Sequence, residues 1–243
     1  MLPARKHESR DARTVPAWVV RRLAVVPPAV DILTLGPLAT NCYLVRPEHT
    51  GTDVVVVDPS GSAAEIRPEL ASRGARCVAI LVTHGHFDHI TGLADLAEGT
   101  GVPVHAPGAE RALLESPADF TPPEVVVRPW TPDTLLGGGE VLELAGLEFE
   151  VIAVPGHSPG HLAFLCDGAL FSGDVLFAGS VGNTSFPGGD WPTLLASLRT
   201  LVAELPPETV VYPGHGPATT LAVELAQNPF LAELRTERME SPP

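Results

Sequence analysis

Four times along the chain, a short apolar run stops at a glycine-bearing turn that carries histidine or aspartate. Val78-Ala79-Ile80-Leu81-Val82 runs into Thr83-His84-Gly85-His86-Phe87-Asp88-His89, and Val151-Ile152-Ala153-Val154 into Pro155-Gly156-His157-Ser158-Pro159-Gly160-His161. Gly168-Ala169-Leu170-Phe171-Ser172 runs into Gly173-Asp174, and Thr209-Val210-Val211-Tyr212 into Pro213-Gly214-His215-Gly216. Apolar runs of this length bounded by turns read as buried strands. If the four strand ends converge on one edge of the fold, they bring seven side chains together: His84, His86, Asp88, His89, His157, Asp174 and His215.

These residue types define the chemistry. Imidazole nitrogen and carboxylate oxygen suit zinc, iron or manganese better than magnesium or calcium. His84 and His86 are two apart, so in an extended segment their side chains share a face. Asp88 and His89 then follow in a new direction, as a turn into a helix would give. Seven ligands exceed what one tetrahedral ion uses and match two ions that share a bridge. Asp174 is the natural bridge, because a carboxylate has two oxygens to share.

The chain resembles the metallo-β-lactamase superfamily and, within it, the glyoxalase II-like thioester hydrolases. The resemblance rests on Gly36-Pro37-Leu38-Ala39-Thr40-Asn41-Cys42-Tyr43, Val57-Asp58-Pro59, Thr83 to His89, Pro155 to His161, Ser172-Gly173-Asp174-Val175-Leu176-Phe177 and Pro213-Gly214-His215-Gly216. It implies an α/β fold, the αββα sandwich of two mixed sheets with helices outside. It also implies a first metal site at His84, His86 and His157 and a second at Asp88, His89 and His215, with Asp174 between them. Two divalent ions are expected, zinc first, with iron or manganese as alternatives. Asp88 and Asp174 are the expected catalytic carboxylates. The implied activity is hydrolysis by metal-bound hydroxide of thioesters of small thiol carriers, of the S-lactoylglutathione kind. The alternatives are a lactonase and an iron-dependent persulfide dioxygenase of the same superfamily.

A length of 243 residues suits one large domain or two small ones. The reading adopted is a basic N-terminal extension over residues 1–29 and one domain over residues 30–243. The extension holds six of the fifteen basic residues and lacks the apolar core of a secretory signal. A frayed tail that becomes an edge strand near Trp18 to Val25 is expected there. No apolar run approaches the roughly 18 residues of a membrane span. The net charge of −14 repels nucleic acid. The three cysteines, Cys42, Cys77 and Cys166, form no disulfide or zinc-ribbon pattern, which points to a reduced, cytoplasmic compartment. The expected partner is a small-molecule thioester, with neither nucleic acid nor membrane.

Beyond residue 30, strands are expected at Asp31–Leu35, Cys42–Val45, Val54–Val57, Cys77–Val82, Val102–His105, Val125–Arg128, Val141–Leu144, Glu148–Val154, Leu162–Leu165, Leu170–Ser172 and Thr209–Tyr212. Helices are expected at Ala63–Ser72, Ile90–Ala97, Gly108–Glu115, Trp191–Leu205 and Leu221–Ala226, with Asp190 capping the fourth. Two batches of strands with interspersed helices suit two packed sheets. Gly137-Gly138-Gly139 reads as a flexible connection.

Gly156-His157-Ser158-Pro159-Gly160 also matches the Gly-x-Ser-x-Gly nucleophile elbow. In that elbow the N–H after the serine builds the oxyanion hole, and Pro159 has none. Ser158 is read instead as a turn residue that helps to orient His157. Asp58 and His161 are read as supporting residues beside the ligands, Asp58 by hydrogen-bonding a ligand imidazole. Asn183 stands where the family carries a basic glutathione-binding residue. The loop from Phe177 to Asp190 contains neither Lys nor Arg, so weak binding of glutathione thioesters is expected.

Overall fold

The computed structural model describes residues 27–235. All but the last three residues of the N-terminal extension, including the edge strand expected near Trp18 to Val25, lie outside them.

Among the described residues, two six-stranded sheets pack face to face. The first runs in chain order: β1 (Ala29–Leu35), β2 (Thr40–Arg46), β3 (Asp53–Val57), β4 (Arg76–Leu81), β5 (Val104–Pro107) and β6 (Thr134–Leu136). The second comprises β7 (Val141–Leu144), β8 (Leu147–Ala153), β9 (Leu162–Cys166), β10 (Ala169–Gly173), β13 (Val210–Pro213) and β14 (Thr219–Thr220), in the order β14-β13-β10-β9-β8-β7. A two-stranded ribbon, β11 (Leu176–Phe177) with β12 (Ser180–Val181), follows β10.

Strand β3 shows why the runs are continuously apolar rather than alternating. Val54 and Val56 pack outward with Ile66 and Leu70 of α1 (Ala63–Ser72) and with Leu93 and Leu96 of α3 (Leu93–Thr100). Val55 and Val57 face the second sheet, where Tyr43, Phe149, Phe164 and Phe171 fill the space between the sheets. A strand buried on both faces needs an apolar side chain at every position. The far face of the second sheet packs against α5 (Trp191–Glu204) through Leu194, Leu198 and Leu201, and against α6 (Leu221–Gln227) through Leu221. The layers are therefore helix, sheet, sheet, helix: an αββα sandwich.

Helix signals are mostly local. Ser62 and Glu65 form a capping box at α1, and Asp190 caps α5 by accepting from the Thr193 N–H at 2.9 Å. The expected helix Ile90–Ala97 is instead α2 (Phe87–Ile90) followed by α3, broken at Gly92. The Gly92 N–H leaves the helix to bond the Pro59 carbonyl at 2.9 Å, and a Cβ there would sit 2.9 Å from the same oxygen. Val125–Arg128 is no strand: Val125 and Val127 pack on the outer core, but no neighbouring strand pairs with the segment. The Gly137–Gly139 turn is pinned, not free, because the Glu140 carboxylate accepts from the Gly137 and Gly138 N–H groups at 2.8 Å each.

A polar seam ties the two sheets at one edge. Asn41 donates to the carbonyls of Pro213 (3.0 Å) and Gly216 (2.8 Å), and the Tyr43 hydroxyl donates to Pro213 at 2.5 Å. The turn bearing His215 is thereby fixed to β2. Tyr43→Phe should cost only about 1 kcal/mol, because Pro213 keeps its bond from Asn41; Asn41→Ala, which strips the Gly216 carbonyl as well, should cost about 2–3 kcal/mol. Denaturant unfolding of the two variants checks that order.

Candidate metal centre

All four ligand-bearing turns open on the edge closed by this seam. His84 and His86 follow β4, and His86 is the N-cap of α2, whose first turn carries Asp88 and His89. His157 follows β8, Asp174 follows β10, and His215 follows β13. The structure brings all seven side chains together. His86 Nδ1 lies 3.0 Å from His84 Nε2 and 2.8 Å from His157 Nε2. On the other side, Asp88 Oδ2 lies 3.5 Å from His89 Nε2 and 3.3 Å from His215 Nε2. Asp174 reaches both groups: Oδ2 is 3.6 Å from His157 Nε2 and 3.5 Å from His215 Nε2, and Oδ1 is 3.3 Å from His89 Nε2.

These atoms fit cations. His84, His86 and His157 form one cluster whose ligand atoms lie within 4.8 Å of one another, and Asp88, His89 and His215 form another. His89 Nε2 and Asp174 Oδ1 are buried and make no hydrogen bond. Buried polar atoms are almost always satisfied, so two orphans facing each other mark a place for a coordinated ion. Gly214 is required here, since a Cβ would stand 2.1 Å from Asp174 Oδ1.

The outer ring nitrogens of His84, His89 and His157 are held. Asp58 accepts from Thr83 through its backbone N–H (2.7 Å) and hydroxyl (2.7 Å), and its carboxylate sits 2.9 Å from His89 Nδ1. The Thr83 hydroxyl lies 3.0 Å from His84 Nδ1, so one buried carboxylate orients ligands from both clusters. Asp58 adopts a left-handed φ of 50°, strain that the surrounding bonds maintain. His157 Nδ1 is 2.8 Å from the Asn183 carbonyl. Thr40 donates to Asp88 Oδ2 at 2.8 Å. His161 accepts from the Asp174 N–H at 3.0 Å through Nε2 and stacks on His84.

The two clusters titrate in opposite directions. Burial drives His84 well below the ordinary imidazole range, and it pushes His86 down to about 4 and lowers His157. These three are neutral, as ligands must be. Burial opposes a charge on His89, yet the Asp174 and Asp88 carboxylates raise it well above the usual value. Hydrogen bonds to Asp174 and Asp88 push His215 up to about 10. Burial would raise Asp88, but His89, His215 and Thr40 hold it at about 2, and Asp174 is likewise held well below the carboxylate range against its burial.

Asn183 lies beside His157 with its side chain exposed. Its carbonyl serves His157, while its side-chain oxygen accepts from the Ser185 N–H at 2.9 Å. The Ser158 hydroxyl donates to Glu110. Glu110 is the buried residue that sequence reasoning missed. Gly108–Glu115 reads as one helix, but a 3-10 turn over Gly108–Glu110 precedes α4 (Arg111–Glu115) and turns Glu110 inward. No local pattern distinguishes this glutamate from a solvated one. The rings of Phe186 and Phe177 flank the open side, Phe186 against His86 (5.5 Å) and Phe177 against His215 (6.0 Å).

His215 sets a pH dependence. Its folded pKa is raised, so its contribution to the metal-free chain is complete below about 6.5 and is lost as pH rises through about 10. The melting temperature of the metal-free protein should fall over that window. Adding zinc at pH 8 should release up to two protons from this cluster, one each from His89 and His215, measurable by calorimetry in buffers of different ionisation enthalpy.

Residues 35–215 match the metallo-beta-lactamase superfamily model. The chain is 32% identical to hydroxyacylglutathione hydrolase GloC of Haemophilus influenzae over 83% of its own length and 97% of that protein. Among solved structures it is similar to BLEG-1 B3 metallo-beta-lactamase (35% identity, TM-score 0.79, covering 84% of this chain and all of that one). It is also similar to TTHA1623 in a di-iron-bound form (42% identity, TM-score 0.74, covering 83% and 100%). With the family match covering most of its length, the chain belongs to the metallo-beta-lactamase superfamily.

Proposed function

We propose that this superfamily member is a binuclear metallo-hydrolase that cleaves thioesters of small thiol carriers. The observation that carries the reading is the two-sided cluster itself: three neutral histidines on one side, Asp88, His89 and His215 on the other, and Asp174 reaching both. The near full-length similarity to a hydroxyacylglutathione hydrolase supports the substrate class. In this proposal His84, His86 and His157 would hold one ion and Asp88, His89 and His215 the other, with Asp174 within reach of both. Zinc is the first candidate. The likeness to a protein solved in a di-iron form supports iron as the alternative.

Bound divalent ions would acidify a water toward neutral pH and polarise an acyl oxygen. The chain does the rest. Asp58 fixes the rings of His84 and His89 through Thr83 and directly, so the ligands are ordered before substrate arrives. Asp88, held at about 2 and bonded by Thr40, stays ionised and orients water rather than storing a proton. A thioester suits such a site because a thiolate with a pKa near ~8.5 leaves without a strong acid, whereas an amine needs one. Phe177 and Phe186 offer apolar walls to the acyl and thiol portions.

The thiol carrier is the open part of the proposal. Asn183 supplies no charge, and the Phe177 to Asp190 loop has no Lys or Arg to meet the glutathione carboxylates. Charge-assisted hydrogen bonds are roughly twice as strong as neutral ones, so their lack weakens binding of that carrier. A reduced, cytoplasmic setting belongs to the same proposal, supported by three free, buried cysteines. Among the described residues, no helix is long and apolar enough to cross a membrane.

His157→Ala should lose turnover by about 100-fold or more, by analogy with the loss of other metal-site groups. Ser158→Ala, assayed with excess metal, should keep the larger part of it; an acyl group trapped on Ser158 would reverse the mechanism. Asp174→Ala should leave a folded protein with one ion instead of two by elemental analysis. One ion in the unaltered protein, with oxygen consumed on a persulfide substrate, would favour the dioxygenase. Compared at one acyl group, glutathione thioesters should show a high KM relative to coenzyme A or mycothiol thioesters. A micromolar KM for the glutathione thioester, or turnover of a β-lactam in preference to any thioester, would overturn the substrate reading.

A further inference from the structure

We infer that Glu110 is the positioning residue that sets the spacing of His84, His86 and His157. Its side chain is almost wholly buried, at 1% exposure, on the turn that follows β5. Oε2 accepts from the Gly85 N–H at 2.6 Å, and Gly85 lies between His84 and His86. Oε1 accepts from the Gly160 N–H at 2.8 Å and from the Ser158 hydroxyl, both just beyond His157. One carboxylate therefore spans two ligand loops that come from different sheets. The loops are joined there also by the Leu162 N–H, which donates to the Thr83 carbonyl at 2.9 Å, by His161 stacked on His84, and by the ligand rings, which touch at 2.8 Å between His157 Nε2 and His86 Nδ1; Glu110 is the side chain that bonds the Gly85 and Gly160 backbones together.

The two loops sit directly on the Glu110 turn. A Cβ at Gly160 would stand 2.8 Å from Glu110 Cγ, and one at Gly85 would stand 2.7 Å from Leu113 Cβ in α4. The approach buries the Gly85 N–H and partly buries the Gly160 N–H, where an unpaired donor is costly. Every partner of Glu110 is a donor, so both oxygens must accept. Glutamine has the same shape but only one accepting oxygen. Whichever way its amide is turned, an NH2 faces either the Gly85 or the Gly160 N–H, and one loop is released. A role in packing alone would tolerate glutamine; a clamp would not.

This inference rests on the reading of the three histidines as metal ligands and is independent of the thioester substrate. The test titrates metal-free protein with cobalt(II), following visible absorption and heat. His86→Ala and His215→Ala identify which binding step belongs to which site. Glu110→Gln should weaken binding at the His84, His86 and His157 site by about 10–100-fold and alter its absorption bands. The step lost in His215→Ala should keep its wild-type affinity in Glu110→Gln. Should Glu110→Gln fail to fold, Glu110→Asp, which keeps the charge but is too short to reach both loops, should show the same selective loss. Wild-type cobalt affinity and spectrum in the folded variant, or equal loss at both sites, would overturn the inference. A wild-type protein that binds no cobalt would overturn the metal reading itself, which sets that failure apart from a failure of Glu110 alone.

Discussion

Asp58 is the constraint on which the site depends. Its single carboxylate, buried in a left-handed turn at the end of β3, holds the Thr83 backbone and hydroxyl and the far side of His89. Without it, the turn after β4 would have no reason to leave the sheet in the direction that points His84 inward and starts α2. A buried carboxylate with several donors is stable only when the donors are pre-placed. Here they are placed by β3 and β4, which pair in parallel and are packed on both faces. The rigidity of the apolar layers is thus passed to the imidazoles through one polar residue.

The electrostatics follow from that arrangement. Five histidine rings and two carboxylates share a small volume, and the protein separates them by sign. The side built from histidines alone stays neutral because burial and mutual repulsion keep protons away. The side with carboxylates favours protonated histidines instead, so a divalent cation entering there replaces positive charge already present. The two halves of the site therefore differ in how their affinity responds to pH, although they share Asp174.

Much of this was legible in the sequence, for a physical reason: strands buried on both faces are written as unbroken apolar runs, and the ligands stand where each run stops. Two packed sheets with helices outside, and the strands β2 to β4, β9 and β10, were visible in that way, whereas β1, β7 and β8 alternate along their length and are buried on one face. What was not visible depends on neighbours distant in sequence. Val125–Arg128 has strand-like side chains but no edge to pair with, while β6, only three residues long, pairs with β5 without an apolar run of its own. The helix break at Gly92 is decided by the Pro59 carbonyl, and the burial of Glu110 by loops 25 and 50 residues away. The candidate ligands could be named from local spacing; of the groups that hold them in place only Asp58, which also ends a strand, and His161, four residues after His157, could be named as well.

The division of the sheets along the chain carries a consequence for how the protein matures. The first sheet and its loops supply His84, His86, Asp88 and His89; the second supplies His157, Asp174 and His215. Each of the two clusters draws on both. Neither half of the polypeptide, collapsed by itself, can assemble a complete coordination sphere. A complete set of ligands for an ion at either cluster is therefore present only once the two sheets have docked. The closed sandwich, and not either sheet, is thus the unit that carries the site.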